Sequence, residues 1–433
     1  MVMPVRFGTD GIRGRASDEI TLDIAYRLGR AVASVFSVPV FVGYDTRESS
    51  PSLAAAVLAG LSDGGATGVN LGYFTTPGVA VIAQQRGGVG VVVSASHNPY
   101  YDNGLKVLGV GGAKLDHATE AAVESALNVA EGPSSLDFAE VAVDESAERE
   151  YIEQLRRLAP SDLSSLSIVV DCANGAASHV AHELFVTTGA KLLMMHDHPD
   201  GRNINEASGS THVESLIEAV LGAGADLGLA LDGDADRLIA VDAEGTVRDG
   251  DDLMVLFALD RAERGVLGGG LVVTSMSNLG LYRALDAAGI EIEETDVGDR
   301  NVLLALEEKS WLLGGEQSGH VIFRDIAPTG DGLLSGLLLA ELIVRRGPLA
   351  EIAGSAWRRV PQDLFSISLE HFSDDVVQKL LNELLATYDV DRDDVRLLVR
   401  PSGTEPVVRI MIEALNAEFV EVFSERLKAL YSS

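Results

Sequence analysis

Short apolar runs bounded by small polar clusters alternate along this chain with longer Ala- and Leu-rich segments of helical periodicity. Phe41-Val42-Gly43, Val89 to Val93, Ser167-Ile168-Val169-Val170, Leu227 to Leu231 and Leu271-Val272-Val273 are continuously apolar rather than alternating. That pattern predicts strands buried on both faces, as in parallel sheets covered by helices. Several runs end alike, in Asp45-Thr46-Arg47, Ser94-Ala95-Ser96, Asp171-Cys172-Ala173-Asn174-Gly175 and Thr274-Ser275-Met276-Ser277-Asn278. Each reads as a small polar turn leading into a helix, an approximate internal repeat of strand, turn and helix. Ligands of open α/β sheets gather at the carboxyl ends of the strands, so these turns are where a site should form. From about Asp363 onward the pattern changes to short strands and helices, as in an α+β domain. The longest apolar segment, Leu333 to Val344, is interrupted by Gly336 and Glu341 and falls short of the ~20 residues a membrane helix needs. It predicts a buried helix.

At 433 residues the chain is too long for one core, and the size of ordinary domains predicts roughly three or four. Soft junctions are expected at Glu131-Gly132-Pro133-Ser134-Ser135, after Val241, and from Arg346-Gly347-Pro348 through Val360-Pro361. With 46% hydrophobic and 23% charged residues the chain is globular rather than disordered. A formal charge of -32 argues against nucleic acid or an anionic membrane as partner, because binders of polyanions present a net basic face. Lysine is confined to Lys106, Lys114, Lys191, Lys309, Lys379 and Lys428, a bias that fits a salty habitat and a GC-rich genome equally. Cys172 stands alone, which excludes an intramolecular disulfide, and Met1-Val2-Met3-Pro4-Val5-Arg6 lacks the regions of a signal peptide. The expected location is the cytoplasm.

Two of the polar clusters carry candidate chemistry. Ser94-Ala95-Ser96-His97-Asn98-Pro99 sets a hydroxyl beside a histidine straight after a buried run, a place from which serine can receive and return a phosphoryl group. Asp232-Gly233-Asp234-Ala235-Asp236-Arg237 offers three carboxylates at alternate positions after another buried run. An EF-hand loop begins with the same spacing, but its sixth position would be Arg237 where glycine is required and its twelfth Ala243 where glutamate is required. Three hard oxygen ligands with coordination positions left for a phosphate oxygen suit magnesium. Arginines recur in Gly/Ser/Thr-rich turns: Thr9-Asp10-Gly11-Ile12-Arg13-Gly14, Gly43-Tyr44-Asp45-Thr46-Arg47 and Arg400-Pro401-Ser402-Gly403-Thr404-Glu405-Pro406. The guanidinium fork suits a phosphate dianion, and such turns could together build a positive pocket in an acidic protein; for any single one, the alternative is an arginine tied to a nearby acid.

Thr9 to Gly14, Ser94 to Pro99, Asp232 to Arg237, Gly315-Glu316-Gln317-Ser318-Gly319-His320 and Arg400 to Pro406 resemble, in order, the signature motifs of the α-D-phosphohexomutases. The resemblance spans essentially the whole chain. It implies an α/β fold: three related α/β/α domains with mostly parallel mixed sheets and a smaller C-terminal α+β domain around a central cleft. The implied division is 1–140 with a phosphoserine loop, 141–242 with a metal loop, 243–358 with a sugar loop and 359–433 with a phosphate loop. Asp331 in Thr329-Gly330-Asp331-Gly332, the glutamine Gln317, Gly209-Ser210-Thr211-His212 and Pro406-Val407-Val408-Arg409 look like the amino-sugar branch of the family.

The resemblance further implies that Ser96 is a phosphoserine in the resting enzyme and binds one Mg2+ per chain with Asp232, Asp234 and Asp236. Glucosamine 6-phosphate would take the phosphoryl group on its 1-hydroxyl. The resulting sugar 1,6-bisphosphate, which also serves as activator, would turn over and release glucosamine 1-phosphate. Lys106 and Arg13 are the implied proton-handling groups, with His97 and His320 in support. Glu316 and Ser318 would hold ring hydroxyls. Arg237, Asp299, Arg300, Arg400, Ser402, Gly403, Thr404 and Arg409 would complete the substrate site. Homodimers occur among relatives. Ser208, Val213, Asp296 and Asp325-Ile326-Ala327-Pro328 depart from the usual pattern; none is a phosphoryl, metal or phosphate residue, but they leave the choice between amino sugar and glucose or mannose phosphates open. A non-catalytic sugar-phosphate regulator is the reading from another class, opposed by intact Ser96, Lys106 and the three aspartates.

Overall fold

The computed structural model describes residues 6–8, 11–159, 161–401 and 406–431. They form two compact units, Met1–Met276 with Ile290–Ser355, and Ser277–Gly289 with Ala356–Ser433. The first unit holds three sheets built on one plan. In the first, β1 (Ile12–Arg15), β2 (Val40–Tyr44), β3 (Gly68–Tyr73), β4 (Val89–Val93) and β5 (Asp102–Leu108) lie in the order β1-β5-β4-β2-β3. In the second, β6 (Ser167–Asp171), β7 (Lys191–Met195), β8 (Leu227–Leu231), β9 (Leu238–Asp242) and β10 (Val247–Arg248) run β10-β9-β8-β6-β7. The third, β11 (Leu271–Thr274), β12 (Ile292–Thr295), β13 (Leu313–Gly315) and β14 (Val321–Phe323), runs β12-β11-β13-β14.

In every sheet one central strand pairs in parallel with two neighbours, and the second of these turns back through a hairpin to an antiparallel partner. The continuously apolar runs are these central strands, β2, β6 and β11, and the neighbours β4 and β8 that enter the hairpins. All five residues of β2, β4 and β8 are buried, as burial on both faces requires. One expectation is corrected. Ser94-Ala95-Ser96 does not lead into a helix but opens the hairpin from β4 to β5, registered by Val93 opposite Leu105. An apolar run followed by a polar turn does not by itself tell a crossover from a hairpin, because the choice depends on the next strand, here Asp102 to Leu108.

Helices are closed at their starts by the residues the sequence supplies. Thr75 accepts from Gly78 N at 3.0 Å ahead of Thr76–Gln85, with Pro77 in the first turn. Asp249 and Asp252 form a capping box on Gly250–Glu263. The segment around Leu333 to Val344 is the expected buried helix, Gly332–Arg346, capped by Asp331. Among the described residues, no helix is long and apolar enough to cross a membrane.

The second unit is a three-stranded antiparallel sheet, β15 (Gln362–Ser368), β16 (Val395–Pro401) and β17 (Val407–Ala414) in the order β15-β17-β16. Helices Asp374–Tyr388 and Ala417–Tyr431 bury Val377, Leu381, Phe419 and Phe423 against Ile410 and Ile412. The change of pattern near Asp363 thus marks an α+β unit. Helix Leu279–Ala287 also belongs to it. Its cap, Asn278, donates to Val360 O at 2.9 Å and Glu413 Oε1 at 3.0 Å, and the fully buried Glu413 accepts from Leu279 N at 3.2 Å.

Asp331 Oδ1 accepts from Leu334 N at 3.0 Å and Oδ2 from the buried Tyr151 hydroxyl at 2.8 Å. Burial outweighs these bonds and raises its pKa from the ordinary 3.8 to about 6. A carboxyl raised in this way is penalised when ionised, so its contribution to stability improves as pH falls through the folded value toward the unfolded one. Between pH 7 and pH 5, denaturant unfolding should show the protein gaining about 1 kcal/mol relative to its Asp331→Asn variant. Parallel pH dependence of the two would contradict the assignment.

Candidate active site

The three hairpins that close the three sheets carry the sequence motifs. Ser94 to Tyr101 joins β4 to β5, Asp232 to Arg237 joins β8 to β9, and Glu316 to His320 joins β13 to β14. Each contains one residue with left-handed backbone: Ser96 at φ +52°, Ala235 at φ +59° and Gly319 at φ +92°. For Ser96 that conformation costs about 1–3 kcal/mol, and such strain survives only where the surroundings fix it. Ser96 N donates to Ser94 Oγ at 2.9 Å, and Ser94 Oγ donates to Asp45 Oδ2 at 2.5 Å.

Ser96 is 1% exposed, and its Oγ donates to Asp232 Oδ2 at 2.6 Å across the sheets. Asp232, Asp234 and Asp236 bring one oxygen each to within 4.8 Å of one another. Lys106, on β5, donates to Asp234 Oδ2 at 2.7 Å and lies 3.8 Å from Asp236 Oδ2. Thr76 Oγ1 adds a bond of 2.6 Å to Asp234 Oδ2. The backbone of the acidic turn is gripped from three sides, Thr76 N to Asp234 O at 3.0 Å, Ala176 N to Gly233 O at 2.9 Å and Gly332 N to Ala235 O at 3.0 Å. Thr76 and Gly332 are the first residues of their helices, so the positive ends of two helix dipoles meet the negative turn. Gly233 permits the approach: a Cβ there would stand 2.5 Å from Ser96 O.

Burial, and then the charges of Asp236 and Asp234, push the Asp232 carboxyl well above its ordinary pKa. Burial and the charge of Asp234 likewise raise Asp236. Burial pushes Asp234 the same way, but the Lys106 ammonium and the hydrogen bonds from Lys106 and Thr76 prevail and lower it. Asp234 Oδ1 and Asp236 Oδ1 are buried and accept no hydrogen bond among the described residues. Buried carboxylate oxygens without a donor suit a cation, and an all-oxygen donor set is what Mg2+ takes. The triad fits the metal expected of it.

The other expected residues fall as follows. His97 Nδ1 is 3.2 Å from Ser96 Oγ; burial, aided by the charges of Arg237 and Arg13, lowers its pKa to about 4, so the ring is neutral at neutral pH. Arg13 lies on β1 opposite Gly104, and its charge also helps to lower Asp234. His320 is 3% exposed and acts electrostatically on Asp236. Arg237 N donates to Asp232 Oδ1 at 3.2 Å, and its Nε stands 3.9 Å from Asp236 Oδ1. Glu316 Oε1 accepts from Gly298 N at 3.0 Å, and the Ser318 hydroxyl is buried without a hydrogen-bond partner among the described residues. Asp299 pairs with Lys114 and Arg300 with Glu120, so both expected substrate ligands hold side chains of the first sheet's domain.

In the second unit Arg400 and Arg409 are direct partners across β16 and β17. Like charges so placed repel, and a bound anion would offset the repulsion. Ser402, Gly403 and Thr404, and Thr9 and Asp10 of the first motif, lie outside the described residues. Arg47, read from the sequence as facing an anion, is corrected: it has no exposure and points inward, its Nε 3.2 Å from Asp45 Oδ2. Thr76, Lys114 and Glu120 were not singled out from the sequence. Thr75-Thr76-Pro77 signals a helix start, but nothing local shows which loop that start faces.

Comparison with known proteins places four matches in chain order. Models described as phosphoglucomutase/phosphomannomutase alpha/beta/alpha domains I, II and III match residues 4–132, 149–245 and 249–360. The C-terminal domain of the same family matches residues 373–429. The chain is 43% identical to a phosphoglucosamine mutase of Desulforudis audaxviator, covering 98% of this chain and 97% of that one. It is 44% identical to a phosphoglucosamine mutase of Desulforamulus reducens, covering 94% of each. A solved phosphoglucomutase/phosphomannomutase family protein from Burkholderia thailandensis is 25% identical, with TM-score 0.79 over 99% of this chain and 97% of that one.

A metal held by the triad stabilises the folded state by mass action, about 2.7 kcal/mol at a hundredfold excess over Kd. Mg2+ should raise the Tm of the protein, and Asp236→Asn should remove most of that rise. An equal rise in both would place the metal elsewhere.

Proposed function

Because this chain belongs to the phosphoglucomutase/phosphomannomutase family, we propose that it interconverts glucosamine 6-phosphate and glucosamine 1-phosphate through a phosphoserine at Ser96 and a sugar 1,6-bisphosphate. The 2.6 Å bond from Ser96 Oγ to Asp232, inside a buried carboxylate cluster faced by Lys106, carries this reading. It sets the hydroxyl that gives and takes the phosphoryl group beside oxygens that need a divalent cation. The curated phosphoglucosamine mutases, matched over nearly the whole chain, support the amino sugar as substrate.

In the forward direction the phosphoryl group leaves Ser96 Oγ for the sugar O1, and the 1-hydroxyl gives up its proton. In the second half the 6-phosphate passes from O6 to Ser96 Oγ, and O6 takes a proton. Asp232, Asp234 and Asp236 would hold Mg2+, which when bound neutralises charge on the transferring phosphoryl oxygens. Lys106, bonded to Asp234 beside the transfer, and Arg13 are proposed to stabilise the charge and handle the proton. His97, held neutral, and His320 border the reacting serine and the acid cluster. Glu316 and Ser318 are proposed to receive ring hydroxyls in either orientation. Arg237, Arg300, Arg400 and Arg409, with Ser402, Gly403 and Thr404, are proposed to take the phosphates, and Asp299 is proposed as a further substrate ligand.

Four domains divided at 1–140, 141–242, 243–358 and 359–433 are the proposed organisation, supported by the four sheets, of which only the second crosses a boundary, through β10. The proposed activator is a sugar 1,6-bisphosphate, and the proposed location is the cytoplasm.

Turnover of glucosamine 6-phosphate with Mg2+ and a sugar bisphosphate should exceed that of glucose and mannose phosphates. Ser96→Ala should lose at least about 10³-fold. Preference for the hydroxy sugars would overturn the substrate and keep the chemistry. In the same assay Arg409→Ala should raise KM about tenfold with kcat nearly unchanged, as loss of an anchor on a non-reacting phosphate does. A fall in kcat alone would contradict that role.

A further inference from the structure

Behind the reacting serine lies a buried polar framework that the proposed chemistry does not use. Two carbonyl oxygens of the serine loop, Ser96 O and Asn98 O, share their donors. Each accepts from the same two side chains. Arg47 Nη2 donates to Ser96 O at 2.9 Å and to Asn98 O at 2.7 Å. Asn205 Nδ2 donates to Ser96 O at 2.9 Å and to Asn98 O at 3.0 Å. Arg47 comes from the turn after β2, and Asn205 from the segment between β7 and β8, so the loop is clamped from both the first and the second sheet's domain.

We infer that Arg47 and Asn205 are positioning residues, whose four hydrogen bonds hold Ser96 in its left-handed conformation and aim Oγ at Asp232. Strain at Ser96 gives the loop a reason to relax, and relaxing would swing Oγ off the carboxylate. A buried guanidinium is costly unless paired, and Arg47 is paired with Asp45, 3.2 Å from its Nε, while the two carbonyls take its Nη2 and Nη1 makes no hydrogen bond among the described residues. Asp45 is fixed in turn, accepting from Ser50 Oγ at 2.7 Å and from Ser94 Oγ at 2.5 Å. Asn103 Nδ2 reaches Ser50 Oγ at 3.0 Å, which anchors the framework to β5, the strand that carries Lys106. Asn205 itself has φ +59°, so its backbone is committed to presenting that side chain. The framework sets serine, lysine and acid turn in register before substrate arrives, which is how small displacements are kept from costing about 10²-fold in rate.

This inference rests on the phosphoserine reading, and its test separates the two. Protein phosphorylated at Ser96 is mixed with glucosamine 6-phosphate, and single-turnover transfer is followed in the wild type, Asn205→Ala and Arg47→Lys. Asn205→Ala should slow transfer about 10- to 100-fold with KM within about twofold. Arg47→Lys, which keeps a cation for Asp45 and one donor for the carbonyls, should lose less. In parallel the 31P resonance of the phosphoserine is titrated with Mg2+ without sugar, where both variants should need more metal for the same shift. Should Asn205→Ala be too unstable to isolate, the isosteric Asn205→Asp replaces donor by acceptor and should show the same losses. Transfer and 31P response both unchanged in stably folded variants would overturn the inference. Failure of the wild type to transfer to any sugar would instead strike the mutase reading, while the 31P titration still decides the clamp.

Discussion

Three carboxylates crowded on one six-residue turn, two of them fully buried, are the constraint around which the first unit is arranged. Ionised carboxylates this close repel one another, and burial adds a desolvation cost that no single hydrogen bond offsets. The protein answers with Lys106, with the charges of Arg13 and Arg237, with two helix N-termini and with the Ser96 hydroxyl, and it still leaves two oxygens without a donor. Those oxygens call for a cation. Groups contributed by all three sheets' domains converge on this turn because its charge must be offset from several directions.

A repeated sheet plan makes the convergence achievable. Each sheet ends its parallel run in a hairpin, and each hairpin carries one part of the proposed chemistry: phosphoryl acceptor, metal ligands, sugar ligands. Three copies of one solution thus supply three different functions from the same topological place. Hydrogen bonds from neighbouring helix starts, such as Gly332 N to Ala235 O at 3.0 Å, and between hairpins, as from Leu238 N to Gly319 O at 3.1 Å, then fix them in register.

Much of this was legible in the sequence because the reacting groups lie in short contiguous motifs behind unmistakable strands. Val89 to Val93 and Leu227 to Leu231 could only be buried strands, and Ser96 and Asp232 to Asp236 follow them directly. The late change to an α+β pattern was legible for the same reason. What the sequence left hidden depends on contacts distant along the chain. The partner of Ser94 to Ser96 is a returning strand rather than a helix, Arg47 serves carbonyls rather than a phosphate, and Lys114 meets Asp299 across 185 positions. Helix Leu279–Ala287, framed by sequence position within the third domain match, joins the C-terminal unit through Asn278 and Glu413. Short-range pattern carries no information about such pairings.

Transfer of labelled phosphate from Ser96 tests the account most directly. Enzyme carrying 32P on Ser96, mixed with unlabelled glucosamine 6-phosphate and quenched within one turnover, should place the label on O1 of a sugar 1,6-bisphosphate and then in glucosamine 1-phosphate. Label released as inorganic phosphate, or retained on the protein while the sugar isomerises, would contradict it.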